Sequence, residues 1–470
     1  MSLQNLYDSF PFLRYLQTVM KPISTAIVIA LLVSSCSLFK KNEPISGTNN
    51  PELKELLKTA QKKLTMAKLD PSKIETLEEA KAASEKAVKL LEGESANVKY
   101  EAYFNQAEAS RFLLQYHLDA KDINKETLGI AGLTGYATIS YESYLESLRQ
   151  TDKKYLRLES HKGVQSLQTQ LNRAIFYASE LASYSEQYEF GDLFLRAHDL
   201  LSIHDRSLYD EESLLPIKYA TAVAGNQVGM RVQGLVEDLY KAKYQEPFIY
   251  LMRAQYARVE GNHIGELSRI RDGRELFPDD IELIFAELNY HLRNKNDEKV
   301  LPLVKEALAK EPENTGLLTT AGDEYAKKAT ASRAQGENET SEAHFKTSLG
   351  YYQKVLTIDP DDVIALGGIA ALYYNRAADN SLELNKISAD YSREGIAKYN
   401  ALYQMVKDDF QRALPYFQQV EARDANNITA LIALKQIYGT LEDMEKFKVF
   451  KGRLERVRNG GQNSSSYFKK

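Results

Sequence analysis

Four short turn signals recur in the second half of the chain: FPDD at 277–280, EPEN at 311–314, DPDD at 359–362 and DANN at 424–427. Pro278 and Pro312 stand 34 residues apart. A proline cannot continue the helix that ends before it, and the Asp or Asn behind it can cap the next helix by accepting from its free backbone amides. Beyond residue 50 the chain has few proline or β-branched runs, so a period of this length predicts helix pairs stacked in series. A frame set on the turns gives units 247–280, 281–314, 315–362, 363–427 and 428–461.

Inside that frame a packing pattern repeats. The third unit carries Leu318, Ala321, Gly322 and Tyr325, then Ser348, Tyr352 and Val355; the fourth carries Leu366, Ile369, Ala370 and Tyr373, then Ala413, Phe417 and Val420; the fifth carries Leu431, Leu434 and Tyr438. These spacings put the marked residues on one helical stripe, where a small residue lets paired helices approach and an aromatic fills the gap above it. The pattern resembles the tetratricopeptide (TPR) repeat. It implies an all-α fold, a TPR-type solenoid of helical hairpins wound as a right-handed superhelix, with a helical insertion in one repeat. Leu288 and Lys435 stand where Gly or Ala is usual, His291 replaces an aromatic, and Ala425 replaces a terminal proline.

Two units are longer than 34 residues, with insertions near 326–347 and 375–408. The second, NRAADNSLELNKISADYSREGIAKYNALYQMVKDD, is charged but helix-prone, and is expected to extend both helices of its unit into a projecting hairpin. Insertions of this kind often fall on a binding face, the alternative being a solvated extension with no partner. Upstream, 213–246 reads as a weaker unit with Tyr219, Ala220, Val232, Val236 and Leu239 on its packing stripe, so the repeat array is set at 213–461. Residues 51–212 read as degenerate, TPR-like helical hairpins, with pairs at 75–120, 132–155 and 163–204, and 462–470 as a disordered tail.

The chain keeps one cysteine among 470 residues, and it lies in LLVSSCSLFK at the end of an apolar run. The run from Ile23 to Val33 is about eleven residues, against roughly 20 for a spanning helix, so it reads as the h-region of a signal peptide. Val33-Ser34-Ser35-Cys36 resembles the lipobox of bacterial lipoproteins. By that resemblance residues 1–35 are a lipoprotein signal peptide, cleavage falls between Ser35 and Cys36, and the Cys36 thiol carries the lipid; the competing reading is a buried cysteine in an ordinary leader. The proportions favour translation from Met20. Residues 36–50, a polar stretch with Pro, Gly and Asn, read as a flexible tether. Ser37 is not the aspartate that in many such lipoproteins retains the product at the inner membrane, which by analogy favours an outer-membrane destination.

Together these features, and most specifically DDFQRALPYFQQVEARDANNITALIALKQIYGTLEDMEKFKVFKGRLE, resemble a family of TPR proteins recurrent in Bacteroidetes-type genomes. The family's first-helix groove positions fall here on Gln255, Arg258, Asn289, Asp323, Tyr374 and Gln436, a mixed polar set without a strong sign. The resemblance implies binding of extended peptides or other envelope proteins.

Other classes are disfavoured. Lys and Arg total 60 against 65 Asp and Glu, a net charge of −5 mixed along the chain, so no clustered basic face is offered to nucleic acid. His198 and His204 in RAHDLLSIHD are six apart and turn about 600° around a helix, which does not align them on one metal. The chain has no G-x-S-x-G, Walker-type loop or H-E-x-x-H, and its one cysteine is assigned to the leader. The reading is therefore a non-enzymatic, membrane-tethered scaffold without cofactor or metal. The alternative is a glycan-capturing lipoprotein of the SusD type, which would require sugar-stacking aromatics in long loops; tryptophan is absent, and the 30 tyrosines sit mostly at packing positions.

Overall fold

The computed structural model describes residues 47–70, 72–120 and 130–468. The leader, Met20, Ser35, Cys36 and most of the tether lie outside the described residues. The described chain is all-α: α1 (Pro51–Leu69), α2 (Ile74–Lys89), α3 (Ala96–Leu118), α4 (Ile130–Arg149), α5 (Lys154–Glu180), α6 (Tyr184–Ser202), α7 (Glu211–Gln227), α8 (Gln233–Lys241), α9 (Pro247–Val259), α10 (His263–Leu276), α11 (Ile281–Arg293), α12 (Asp297–Lys310), α13 (Thr315–Ala334), α14 (Asn338–Ile358), α15 (Val363–Ile387), α16 (Arg393–Arg423), α17 (Ile428–Thr440) and α18 (Met444–Arg458). Two compact units divide it, one ending at Leu235 and the other beginning at Val236.

In the second unit each turn residue does the work its chemistry suggests. Asp280, Asn314, Asp362 and Asn427 accept backbone amides from Leu283, Leu317, Ala365 and Ala430, opening α11, α13, α15 and α17. Within the hairpins the short turn needs one left-handed residue: Gly261 (φ 73), Lys295 (φ 54), Gly336 (φ 81) and Glu442 (φ 63) occupy equivalent places. Glycine meets that demand freely, whereas Lys295 and Glu442 bear the steric cost of their Cβ atoms.

The helix pairs α9–α10, α11–α12, α13–α14, α15–α16 and α17–α18 are TPR-type hairpins. Their core is a series of small clusters, each shared by neighbouring helices, as in a quasi-one-dimensional stack. Leu318, Ala321, Tyr352, Val355, Leu366, Ile369, Ala370, Phe417, Leu431, Leu434 and Tyr438 are all buried. A Cβ added at Gly322 or Gly368 would come within 2.7 or 2.5 Å of the Tyr352 ring, so the ring is seated against backbone on both sides. Leu288 and His291 are buried in spite of departing from the usual residue types, and Lys435 is half-buried.

Both insertions are helical. They lengthen α13 and α14 to 20 and 21 residues and α15 and α16 to 25 and 31, against 13 and 14 in α11 and α12. At 1.5 Å per residue, α15 is about 18 Å longer than α11.

In the first unit α1 to α7 run from 16 to 27 residues, without the 13- and 14-residue helices of α11–α12. The expected hairpin at 132–155 is instead the single helix α4 with the start of α5. No turn residue interrupts α4, and its buried small face, Ser140, Ser143 and Ser147, lies against neighbours: Ser140 Oγ donates to the Ala107 carbonyl at 3.0 Å and Ser143 Oγ to Gln106 at 3.0 Å, both on α3. Sequence 213–246 holds α7 and α8, with Ala220, Val232, Val236 and Leu239 buried and Tyr219 half-buried.

The segment after α18 also departs from expectation. Residues 462–468 are not a free tail: Asn463 is buried, and the rings of Tyr467 and Phe468 lie 5.3 and 5.6 Å from Phe450. Phe450, which stacks on Tyr438 of α17 at 5.6 Å, is fully buried with these rings packed against it.

Candidate interaction groove

The second unit contains a groove of 1120 Å³ lined by parts of α11, α13, α14, α15 and α16. Its first wall is a stripe on α13, Thr320, Asp323, Lys327 and Thr330, spaced at one helical face. Its second is a stripe on α15, Ile364, Gly367, Gly368, Ala371 and Asn375. Gly367 and Gly368 have opposite duties. A Cβ at Gly368 would strike Tyr352, but one at Gly367 meets nothing within 4 Å, so Gly367 leaves open space.

The longer second helices complete the site. Asn338, Ser341, Glu342 and Phe345 come from α14, and Met405, Asp408, Asp409 and Arg412 from α16. Arg376 ties these parts together, donating to both Asp409 oxygens at 2.8 and 2.7 Å and to Glu342 at 2.8 Å. Its guanidinium also lies 3.9 Å from the Phe345 ring centroid. Burial opposes the charge on Arg376, but the hydrogen bond and charge of Asp409, with Glu342, outweigh it and raise its pKa above the ordinary value. Arg333 donates to Asn380 and faces Asp379, joining α13 to α15.

Charges on the wall are thus largely fixed by internal pairs. Lys327 bonds to Glu324 at 2.6 Å, and Asp408 accepts from Gln404 at 2.8 Å. Asp323 accepts from the Tyr352 hydroxyl; burial, followed by that carboxylate, pushes the phenol's pKa well up, so it stays a donor. Exposed apolar surface at Ile364 (66%) and Met405 (53%) completes a mixed lining suited to a polypeptide rather than to a strongly charged ligand.

Of the six groove positions read from the sequence, Asp323 alone lines this groove. Gln255, Arg258, Asn289 and Gln436 are exposed on α9, α11 and α17, away from its walls. Tyr374 is half-buried and packs its ring 5.5 Å from Phe410 and 5.9 Å from Phe417, inside the α15–α16 hairpin. The residues that sequence reasoning missed are Arg376, Asp409, Glu342 and Arg333. They meet only because two insertions, far apart in sequence, extend side by side; no local spacing signals it.

The histidines of α6 and the loop behind it part company. His198 is buried, its ring nitrogens bonded to Ser202 at 3.0 Å and Ser207 at 2.7 Å, while the His204 ring lies 4.8 Å from His161. Among the described residues no group of three or more His, Cys, Asp or Glu could hold a metal ion, and no helix is long and apolar enough to cross a membrane.

No protein-family model matches the chain, and no curated protein matches it. Solved structures give weak likenesses. A human IFIT1 dimer with m7Gppp-AAAA is 12% identical, with 87% of this chain and 91% of that chain covered and a TM-score of 0.27. The P58(IPK) TPR domain is 12% identical over 84% of this chain and 99% of its own, at 0.27. Yeast Tom70 is 14% identical over 86% of each chain, at 0.26.

Proposed function

We propose that this chain is a non-enzymatic protein-interaction scaffold whose α13–α16 groove takes an extended segment of a partner polypeptide. The observation that carries this reading is the open path along Gly367 and Ala371, bordered by polar side chains already held in place by internal pairs. A preorganised wall loses little side-chain entropy when a partner docks. Asp323 is one contact; the others belong to Thr320, Lys327, Thr330 and Asn375. In the same proposal, a lipid on Cys36 tethers the scaffold to the bacterial cell envelope at the outer membrane, and its partners are envelope proteins. The leader pattern supports the tether.

Two experiments test the halves separately. A photo-crosslinking residue at Asn375 or Thr320 should yield discrete protein adducts in envelope fractions, and the same probe at exposed Lys58 on α1 should not; equal adducts from all three positions would defeat the groove reading. For the tether, Cys36→Ala should release the chain from membranes and change its processing. Unchanged partition and processing would remove the lipid.

A further inference from the structure

The segment Asn463–Phe468 is held by contacts that read its backbone as well as its side chains. Glu421 on α16, fully buried, accepts from Ser466 Oγ at 2.7 Å and from the Tyr467 backbone amide at 2.9 Å, with the Phe468 amide at 3.4 Å. Arg453 on α18 pairs with Glu421 and donates to the Ser465 carbonyl at 2.7 Å. Asn463 donates its amide to the Asn426 side chain at 2.7 Å and its side-chain nitrogen to the Ala425 carbonyl at 2.9 Å. Phe468 stacks on Phe450 with an interplanar angle of 14°, and Tyr467 meets the same ring edge-on at 68°.

This arrangement has the parts of a peptide-recognition site: a buried carboxylate and a guanidinium that fix the backbone, and an aromatic surface that selects two rings. The bound segment reaches it through Asn459–Gln462, a short connection in which Gly460 takes φ 81. None of these residues lines the α13–α16 groove.

We infer that α16–α18 form a second, separate peptide-recognition site, closed in cis by Asn463–Phe468, and that it accepts the same Ser-Ser-Tyr-Phe segment from a second copy of this chain when its own is displaced. In cis the segment is presented at an effective concentration of about millimolar, so exchange between copies requires that the resident rings be weakened or the chain concentrated.

The test uses the full chain and a fluorescent peptide of residues 462–468. In a Tyr467→Ala, Phe468→Ala variant the vacated site should bind the peptide saturably by fluorescence anisotropy, with wild type binding about tenfold or more weakly because its own segment competes. A peptide N-methylated at the amides of Tyr467 and Phe468 keeps both rings and the Ser466 hydroxyl but cannot donate its backbone amides to Glu421, and it should bind about tenfold or more weakly to the same variant. This control leaves the protein's own folding untouched. Failure of the variant to bind, equal binding to wild type, or equal binding of the methylated peptide would each overturn the inference.

Discussion

The two compact units solve the same problem, holding long amphipathic helices side by side, by different means. In the second, hairpins whose helices run from 13 to 31 residues are set by caps, left-handed turn residues and, at Tyr352, glycines beneath a tyrosine. In the first, helices of 16 to 27 residues are joined by buried polar groups. At the centre of that network Glu108 accepts from Arg111 at 3.0 Å and from the Tyr144 hydroxyl, with Lys68 at 3.1 Å. Burial opposes the ionised form of Glu108, yet Arg111 and then Lys68 outweigh it and hold its pKa down to about 2. Nearby, Ser147 and Ser160 share a hydrogen bond at 2.8 Å. Caps and turn residues thus act within a hairpin of the second unit, while in the first Glu108 gathers Lys68 and Tyr144 from helices distant in sequence.

The sharpest way to break this contrast is to remove one buried charge. Arg111→Met should cost about 3–5 kcal/mol in chemical denaturation, because Glu108 loses its main counter-ion inside the fold. Lys310→Ala, which removes an ion pair to the exposed Asp279, should leave the denaturation midpoint nearly unchanged because solvent screens the pair. Comparable effects would mean that the buried pair stabilises the first unit no more than an exposed one does.

Glycines give a second comparison. A Cβ at Gly163 would sit 2.3 Å from the Tyr144 ring, so Gly163→Ala should destabilise by about 2–3 kcal/mol. Gly367→Ala fills open space on a helix and should stabilise by about 0.5–1 kcal/mol. Thermal melts of the two variants read both signs.

A pH titration distinguishes the units next. His161, 2% exposed, has both ring nitrogens without hydrogen-bond partners; its burial, then Arg206, His204 and Arg157, lower its pKa to about 4. In the unfolded chain its pKa is near 6.5. The unfolded state therefore binds the extra proton between these values, so stability is full above about pH 6.5 and falls by about 2–3 kcal/mol as pH drops to about 4. His161→Leu should flatten that slope; a slope unchanged by the substitution would assign it elsewhere.

The smallest effects belong to the hairpin ends. Asp280→Ala and Asn427→Ala should each cost about 1 kcal/mol, and Glu442→Gly should gain about 1 kcal/mol by relieving a left-handed backbone at φ 63. Denaturant midpoints would show these shifts.

The same contrast explains what the sequence could disclose. Asp280, Asn314, Asp362 and Asn427 announce themselves because a cap acts on residues two or three positions away. Gly322 and Tyr352 are legible because their spacing follows helical periodicity. By contrast, the serine face of α4 has the look of a polar surface, and only its pairing with α3 makes it interior. Arg376 is one charge among many until Glu342 and Asp409 arrive from other helices. Tyr374 illustrates the converse: its register suggested an open groove, but Phe410 and Phe417 on α16 close against its ring. The order of 462–468 depends on Glu421, more than forty residues away, and no composition rule detects it.

The most direct test of the central claim, that the α13–α16 groove receives polypeptide, is a displayed-peptide selection on the full chain with parallel measurements on Gly367→Arg and Gly367→Glu. Both substitutions enter the open space at Gly367 and carry opposite charges. Selected peptides should bind the wild-type chain saturably and lose about tenfold or more in affinity to both variants. Peptides that bind all three chains equally, or that lose affinity to only one sign of charge, would contradict a sterically defined groove.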